Sequence, residues 1–354
     1  VTYYGIWVLV TYVGWKLTEI PYGAWSFGLS RDYVQRARIQ LWRAMATLLG
    51  GLAFFIVPFA THALGLTPTT ELYLHTLSFT AMVIVVCVPA INLYALAKVP
   101  DGEAAPPPEI EKKGQNWRVV LQSVVHNGPL IRLLAAFIPV TLLTSMSTST
   151  TYLFVNSYLG LSKQYAALML VVMPFGLLGL PFWGWMCLHF ERHRVAAVAL
   201  LLAAVAYAGQ AFVPVGEAGL IPMMILNPIG AFTVVAVAVC IPAMMGDIVD
   251  YGRLQSGEDM AGIYSATLAF LSRSLGGLGG ALGLAIAGWL SFDAAASQQS
   301  AQGAFAIKLV SVWLPVLGVA IAAPILWTFP ITRAKQEATL AAIKANEMQS
   351  TTVD

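Results

Sequence analysis

Long apolar segments alternate with short polar ones along the chain, and this pattern predicts membrane-spanning helices. A helix needs about 20 mostly apolar residues to cross a bilayer. Segments of this kind cover roughly residues 3–29, 42–64, 72–97, 129–158, 163–189, 194–213, 218–246, 263–291 and 304–330. Several breaks between them contain Pro, Gly or Ser, as is typical of turns. The sequence therefore predicts an all-α membrane protein with about nine transmembrane helices.

The composition supports this prediction and excludes a soluble domain. Of the 354 residues, 58% are hydrophobic and only 10% are charged, whereas soluble domains are about 25% charged. Such a chain cannot cover its surface with polar groups, so its surface must face lipid. Cys87, Cys187 and Cys240 all fall in apolar segments and are predicted to be buried, without metal-site spacing or a disulfide framework. The first residues are apolar and lack the charged leader of a signal peptide.

Lys and Arg are concentrated in alternate loops, which predicts the topology. One set of loops contains Arg31, Arg36, Arg38, Lys98, Lys112, Lys113, Arg118, Arg192, Arg194, Arg253, Arg333, Lys335 and Lys344. The other set contains only Lys163. The positive-inside rule places the first set in the cytoplasm. We therefore expect a multi-pass protein of the cell (inner) membrane with its C-terminus in the cytoplasm.

The longest loop divides the chain into unequal parts. Residues 98–128 contain a Pro run and mixed charges, which is typical of a linker. Three predicted helices precede it in residues 1–97, and six follow it in residues 129–331. Residues 332–354 form a tail that is predicted to begin as a helix, and the sequence assigns it no function.

Two charges lie inside the first apolar segment. Lys16 and Glu19 have i,i+3 helical spacing, and Glu19 precedes the following loop by about ten residues. Charges in lipid are costly, so ionisable residues in spans are functional candidates. The alternative is a snorkelling Lys beside a Glu near the helix end. Arg43 opens the second helix, either as an interfacial anchor or as a cavity residue that pairs with Glu19 or a substrate.

Polar residues also occur in the later segments. The run TSMSTSTT, residues 144–151, and Asn156 either line a wet cavity or pack helices together. Arg273 lies about ten residues from either loop and implies a partner elsewhere or a cavity. The pairs Gly276-xxx-Gly280 and Gly279-xxx-Gly283 favour close helix packing over a binding role.

Asp247 and Asp250 share one face at the end of the seventh helix. Carboxylates at a helix C-terminus oppose the helix dipole, so a cationic partner is expected. Arg36 and Arg38, on the same predicted side of the membrane, are candidates. A solvated acidic loop is the alternative.

Enzyme chemistry is not indicated. The sequence contains no GxSxG, HExxH, P-loop or paired-cysteine motif. The basic loops are explained by topology and do not form a nucleic-acid patch. We therefore predict neither an enzyme nor a nucleic-acid-binding protein, and no cofactor apart from a coupling ion.

Three stretches together resemble the glycoside–pentoside–hexuronide:cation symporters, the melibiose permease-like branch of the major facilitator superfamily. They are EIPYGAWSFGLSRDYVQRARIQLWR, MMGDIVDYGRLQSGEDMAGIYSA and SRSLGGLGG, in that order. Members of this family have twelve helices in two halves of six. The resemblance implies that this chain begins at helix IV and has the family fold without its first three helices.

The resemblance also implies roles for individual residues. Glu19 matches an acidic residue that binds sugar and cation, Arg43 matches an arginine facing the sugar cavity, and Arg273 matches a lysine near the cation site. Arg36 and Arg38 match loop arginines that close the cytoplasmic side by pairing with the carboxylates matched by Asp247 and Asp250. The remaining candidate binding residues are Lys16, Tyr22 and Trp25. Lys16 departs from the family pattern, and its charge suits the place of a coupling cation beside Glu19.

The predicted function is secondary active transport by alternating access. The sequence favours cation-coupled symport, with Na⁺ or H⁺, of a sugar, glycoside or related polar solute by a monomer. One alternative is an uncoupled facilitator or a carrier of a lipid-like solute on the same fold. A second alternative is a membrane sensor that does not transport.

Overall fold

The computed structural model describes residues 2–29, 33–72, 74–99, 125, 127–256, 260–296 and 298–351. All regular secondary structure in these ranges is helical. The α-helices are α1 Thr2–Gly28, α2 Tyr33–Ala63, α3 Leu74–Lys98, α4 Gly128–Leu153, α5 Tyr165–His189, α6 Arg192–Gln210, α7 Leu220–Ser256, α8 Ala261–Trp289, α9 Ala301–Lys308, α10 Leu314–Trp327 and α11 Arg333–Thr351. Two π-helical segments, Phe154–Tyr158 and Leu309–Trp313, continue α4 and join α9 to α10, and a short 3₁₀ turn, Glu217–Gly219, precedes α7.

The predicted helices agree with the structure except at two ends. The second helix begins at Tyr33 rather than at residue 42, so Arg36 and Arg38 belong to α2 and not to a loop. The seventh continues to Ser256, which places Asp247 and Asp250 within α7. In both cases a more polar segment continues the apolar span as helix. Hydropathy detects the part of a helix that can cross lipid and misses its polar continuation.

Eight spans among the described residues are long and apolar enough to cross a membrane. The ninth predicted span, α1, is outside that set, since its Tyr, Trp and Thr residues and two charges lower its hydropathy. Its 27 residues extend about 40 Å at 1.5 Å per residue. This length exceeds the bilayer core of about 30 Å.

The described residues fall into two compact units. One comprises Val1–Thr67 and Tyr73–Gln115 and contains α1 to α3, and the other comprises Pro68–Leu72 and Asn116–Asp354. The short segment between α2 and α3 thus belongs to the second unit. There, Glu71 Oε1 accepts a hydrogen bond from Ser162 Oγ at 2.9 Å. Most of the predicted linker, residues 100–124, lies outside the described residues.

Close packing of α4 against α8 and α10 organises the second unit. A Cβ added to Gly279 on α8 would lie 2.3 Å from the carbonyl oxygen of Leu142 on α4. A Cβ on Gly318 of α10 would lie 2.8 Å from the carbonyl oxygen of Pro139, also on α4. Backbone atoms at these distances leave room only for glycine. The packing role predicted for Gly279 is confirmed.

The hydroxyl-rich run of α4 mainly serves the same packing. Ser147 Oγ donates to the backbone oxygen of Ser311 at 2.7 Å, and the hydroxyls of Thr150 and Ser311 lie 2.8 Å apart. Thr148 and Thr151 donate to carbonyls one turn earlier in their own helix. The structure therefore supports helix packing for most of this run, whereas its first residue, Thr144, lines a cavity.

Two of the three cysteines meet in the core of the second unit. Cys187 on α5 and Cys240 on α7 are buried, and their Sγ atoms lie 2.8 Å apart as free thiols. Cys87 is exposed on α3, so the prediction that it is buried is wrong. An apolar residue of a membrane helix faces lipid as readily as protein, and hydropathy cannot separate the two.

Candidate functional site

The first unit contains a charged cluster on one face of α1. Lys16 Nζ donates a hydrogen bond to Glu19 Oε2 across one helical turn, which satisfies the i,i+3 spacing seen in the sequence. The ammonium also lies 4.4 Å from the ring centroid of Trp15 and 5.6 Å from that of Tyr12. The side chains of Lys16 and Glu19 are 25% and 30% exposed, so both are largely shielded. A carboxylate and two aromatic faces thus surround one cation.

Arg43 reaches α1 from α2 in the same unit. Its guanidinium carbon lies 4.8 Å from the ring centroid of Tyr22. Arg43 is half-buried, and so is Trp25 on α1. A contact with α1 goes beyond an interfacial anchor, because it gives the guanidinium a fixed place against an aromatic face. Arg43 and Tyr22, which are both candidate residues from the sequence, are therefore in contact in the structure.

The second unit contains a cavity of about 860 Å³. Its polar lining residues are Thr141, Thr144, Asp250, Ser265 and Ser272. Its other lining residues are apolar and come mainly from α4, α7 and α8: Phe137, Val140, Leu200, Val234, Val237, Ala238, Ile241, Pro242, Met245, Gly246, Val249, Leu268, Ala269 and Val319. This volume lies within the range of small-molecule sites, about 300–1,000 Å³. The cavity can therefore hold a mainly apolar group beside a few hydrogen-bonding partners.

Among the residues selected from the sequence, Asp250 lines this cavity and Arg273 does not. Arg273 follows Ser272, a lining residue, and its own side chain is exposed on α8. The sequence missed the apolar lining altogether. The sequence does not distinguish these apolar lining residues, since residues of the same types face lipid elsewhere on the same helices.

Asp247 pairs with a residue that the sequence assigned only to topology. Arg192, the first residue of α6, donates from Nη1 to Asp247 Oδ1 at 2.5 Å and to the backbone oxygen of Ala243 at 3.2 Å. The Asp247 side chain is 13% exposed. The expected cationic partner thus exists, supplied from within the second unit.

The C-terminal helix α11 provides the partner of Asp250. Gln336 Nε2 donates to Asp250 Oδ2 at 2.6 Å, and Lys335 Nζ lies 4.9 Å from the ring centroid of Tyr251. The backbone nitrogen of Arg333 donates to Glu191 Oε2 at 3.0 Å. The tail is therefore a helix docked against the end of α7, a role that the sequence did not assign to it.

Pairing of Asp247 and Asp250 with Arg36 and Arg38 stays a prediction. The side chains of Arg36 and Arg38 lie outside the described residues. The contacts with Arg192 and Gln336 show that both carboxylates already accept hydrogen bonds within their own unit.

We expect the Arg192–Asp247 pair to show energetic coupling in a double-mutant cycle. Arg192→Met and Asp247→Asn should each lower the stability of the detergent-solubilised protein, and the double variant should lose less than their sum. The expected coupling is about 1–2 kcal/mol, because the residues touch but Arg192 is partly exposed to screening. Arg194, whose guanidinium lies near Trp327, provides the matched control. The stability losses of Arg194→Met and Asp247→Asn should be additive. Additive losses for Arg192 and Asp247 would contradict the assigned pair.

Comparisons with known proteins point to membrane transport. Residues 1–333 match the family described as "MFS/sugar transport protein". The sodium-dependent lysophosphatidylcholine symporter 1-A of Danio rerio is 22% identical over 229 residues, which is 64% of this chain and 42% of that protein. The chain therefore spans less than half the length of this curated relative. The resemblance to the major facilitator superfamily that the sequence motifs predicted is confirmed.

Proposed function

Because this multi-pass membrane protein belongs to the MFS/sugar transport protein family, a family of transporters and not of enzymes, we propose that it carries an amphiphilic solute by alternating access. The apolar portion of the solute lies in the cavity of the second unit, and a polar portion meets the hydroxyls and Asp250 at the cavity wall. This proposal adopts the lipid-like carrier among the alternatives open from the sequence. It places the protein in the cell (inner) membrane with α11 in the cytoplasm.

The apolar lining of the cavity is the observation that carries this proposal. A sugar has hydroxyl groups over its whole surface, and each one buried without a hydrogen bond costs about 1–3 kcal/mol. Five polar residues cannot pair with all of them, since Thr144 already donates to the backbone oxygen of Val140. An alkyl chain gains from the same walls about 0.8 kcal/mol for each buried CH₂ group. The cavity thus favours a solute with a substantial apolar part.

The polar lining residues indicate the chemistry of the head group. The lining includes one carboxylate, Asp250, together with threonine and serine hydroxyls, and it includes neither Lys nor Arg. Such a wall accepts a hydroxyl or a cationic group better than an anion. The Danio rerio relative is by its name a symporter of lysophosphatidylcholine, a molecule with one acyl chain and a zwitterionic head group that contains a phosphate and ends in a quaternary ammonium. Lysophosphatidylcholine is therefore the first probe to use.

Cation-coupled symport of a sugar or glycoside is the second candidate. The description of the matched family includes sugar transport, and the name of the relative includes sodium dependence. Lys16, Glu19 and Arg43 form a polar region in the first unit that suits a hydroxylated solute. Na⁺ or H⁺ would be the coupling ion, and a monomer would suffice.

Uptake into liposomes that contain the purified protein separates these candidates. Radiolabelled lysophosphatidylcholine, delivered on albumin, is compared with radiolabelled methyl glucoside and methyl galactoside. We expect saturable uptake of the lysophospholipid and little uptake of either glycoside. Saturable glycoside uptake that excess lysophospholipid does not inhibit would contradict the amphiphile proposal. Saturable binding without flux would instead support the sensor.

Filling the cavity should block uptake without disturbing the fold. Ala269 lines the cavity on α8, and we expect Ala269→Phe to reduce lysophospholipid uptake at least about tenfold, which corresponds to about 1.4 kcal/mol. Ala266, one turn earlier on α8, is exposed and outside the lining. Ala266→Phe is therefore the matched control and should retain wild-type uptake. Equal uptake by the two variants would show that the cavity is not part of the transport path.

A further inference from the structure

The Lys16 ammonium has the surroundings of a bound cation. It donates to the carboxylate of Glu19 and lies over the rings of Trp15 and Tyr12, at 4.4 and 5.6 Å from their centroids. Carboxylates and aromatic faces are the groups that stabilise cations in partly dry surroundings. All these residues lie within two turns of α1.

The charges of the first unit show why this pair matters. Glu19 is the one carboxylate among the residues of this unit that the structure describes. One positive charge neutralises it, and Lys16 already provides that charge at hydrogen-bond contact. A second cation at Glu19 would give the cluster a net positive charge. Such a charge is costly on a helix that is long enough to span a bilayer. A free ion must therefore displace Lys16 before it can bind there.

We propose that Lys16 is the resident cation of Glu19 and removes the need for a free Na⁺ at this carboxylate. The inference rests on the proposed transport function and concerns its dependence on a coupling ion. Lys16 is attached one turn from Glu19, so binding its ammonium costs no loss of free translation, whereas a free ion has to be recruited from solution. Transport then proceeds without sodium at Glu19.

A purely neutralising ion pair makes a different prediction. If Lys16 only offsets the charge of Glu19, its removal lowers stability equally in every salt. If Lys16 occupies a cation site, its removal opens that site, and a free cation then stabilises the protein. The response to sodium therefore separates the two roles.

Thermal unfolding in detergent at pH 8.5, in NaCl or in choline chloride at equal ionic strength, measures this response. Lys16→Met keeps the length of the side chain and removes its charge, and we expect NaCl to raise its midpoint by about 2–4 °C over choline chloride. The wild type and Lys16→Arg should show equal midpoints in the two salts. Lys98→Met, at the exposed end of α3, is the matched control and should behave as the wild type. Glu19→Gln in the Lys16→Met background should abolish the sodium response.

Two results would overturn the proposal. One is a Lys16→Met protein whose midpoint is the same in both salts. The other is a sodium response of the wild type that Glu19→Gln removes, since it would show that Na⁺ binds Glu19 in the presence of Lys16.

Uptake of lysophosphatidylcholine into liposomes, in sodium or choline medium, provides a second measurement. We expect equal wild-type uptake in both media and uptake by Lys16→Met that sodium increases several-fold. If sodium increases wild-type uptake as much as it increases uptake by Lys16→Met, the inference is overturned. If no protein takes up the probe, the proposed solute is wrong, and the unfolding measurements still decide the role of Lys16.

Discussion

Replacing Glu19 by Gln is expected to reduce solute uptake to less than about a tenth of the wild-type rate, while the protein still reaches the membrane. The Lys16 ammonium then loses the carboxylate that it contacts in α1. A charge within a span costs about 2.5–3.5 kcal/mol on insertion scales, and about 1.4 kcal/mol already corresponds to a tenfold change in rate. Initial uptake rates, normalised to the protein present in the membrane, measure the effect.

Two further variants define what the loss means. Glu217 is exposed beside the start of α7, so Glu217→Gln changes the same functional group and should leave uptake unchanged. Glu19→Gln leaves the charge of Lys16 without this carboxylate and should lower thermal stability. Lys16→Met combined with Glu19→Gln removes both charges and should restore that stability without restoring uptake. Uptake by Glu19→Gln at the wild-type rate would show that transport does not require this carboxylate.

Replacing Gly279 by Ala is expected to destabilise the protein by about 1–3 kcal/mol, the usual cost of forcing an atom into a packed core. The added Cβ would lie 2.3 Å from the Leu142 carbonyl oxygen and 2.9 Å from Ser145 Cβ. Neither neighbour is the end of a flexible side chain, so α8 has to move away from α4. The midpoint of thermal unfolding in detergent should fall by several degrees.

Gly277 gives a matched control on the same helix. A Cβ added there meets nothing within 4 Å, and Ala favours helix over Gly by up to about 1 kcal/mol. Gly277→Ala should therefore leave the midpoint unchanged or raise it slightly. A similar midpoint for the two variants would contradict the close approach of α4 and α8.

Apolar length predicted most of the fold, because a bilayer requires a minimum number of consecutive apolar residues. The same property explains the two main errors. Residues 33–41 of α2 and the end of α7, to Ser256, are too polar to count as membrane span, yet they continue the helices. Hydropathy reports the solvent around a helix, and hydrogen bonding along the backbone decides where the helix ends.

The parts of the site that were predictable are local in sequence. Lys16 and Glu19 meet because three residues along a helix are neighbours in space, whatever the rest of the chain does. Arg192 reaches Asp247 over 55 positions, and Gln336 reaches Asp250 over 86. These contacts depend on how α6 and α11 pack against α7, which spacing alone does not encode. The cavity could not be predicted either, because an apolar residue has the same hydropathy whether it faces lipid or a bound solute.

The close contact of α4 with α8 and α10 offers a reference for spectroscopy of the transport cycle. Glycine at Gly279 and Gly318 lets backbones touch, and we expect these closely packed helices to move as one body. Spin labels at exposed positions of this trio, such as Thr148, Leu278 and Leu317, form a fixed triangle. Distances from that triangle to labels elsewhere then report the movement of those other parts alone.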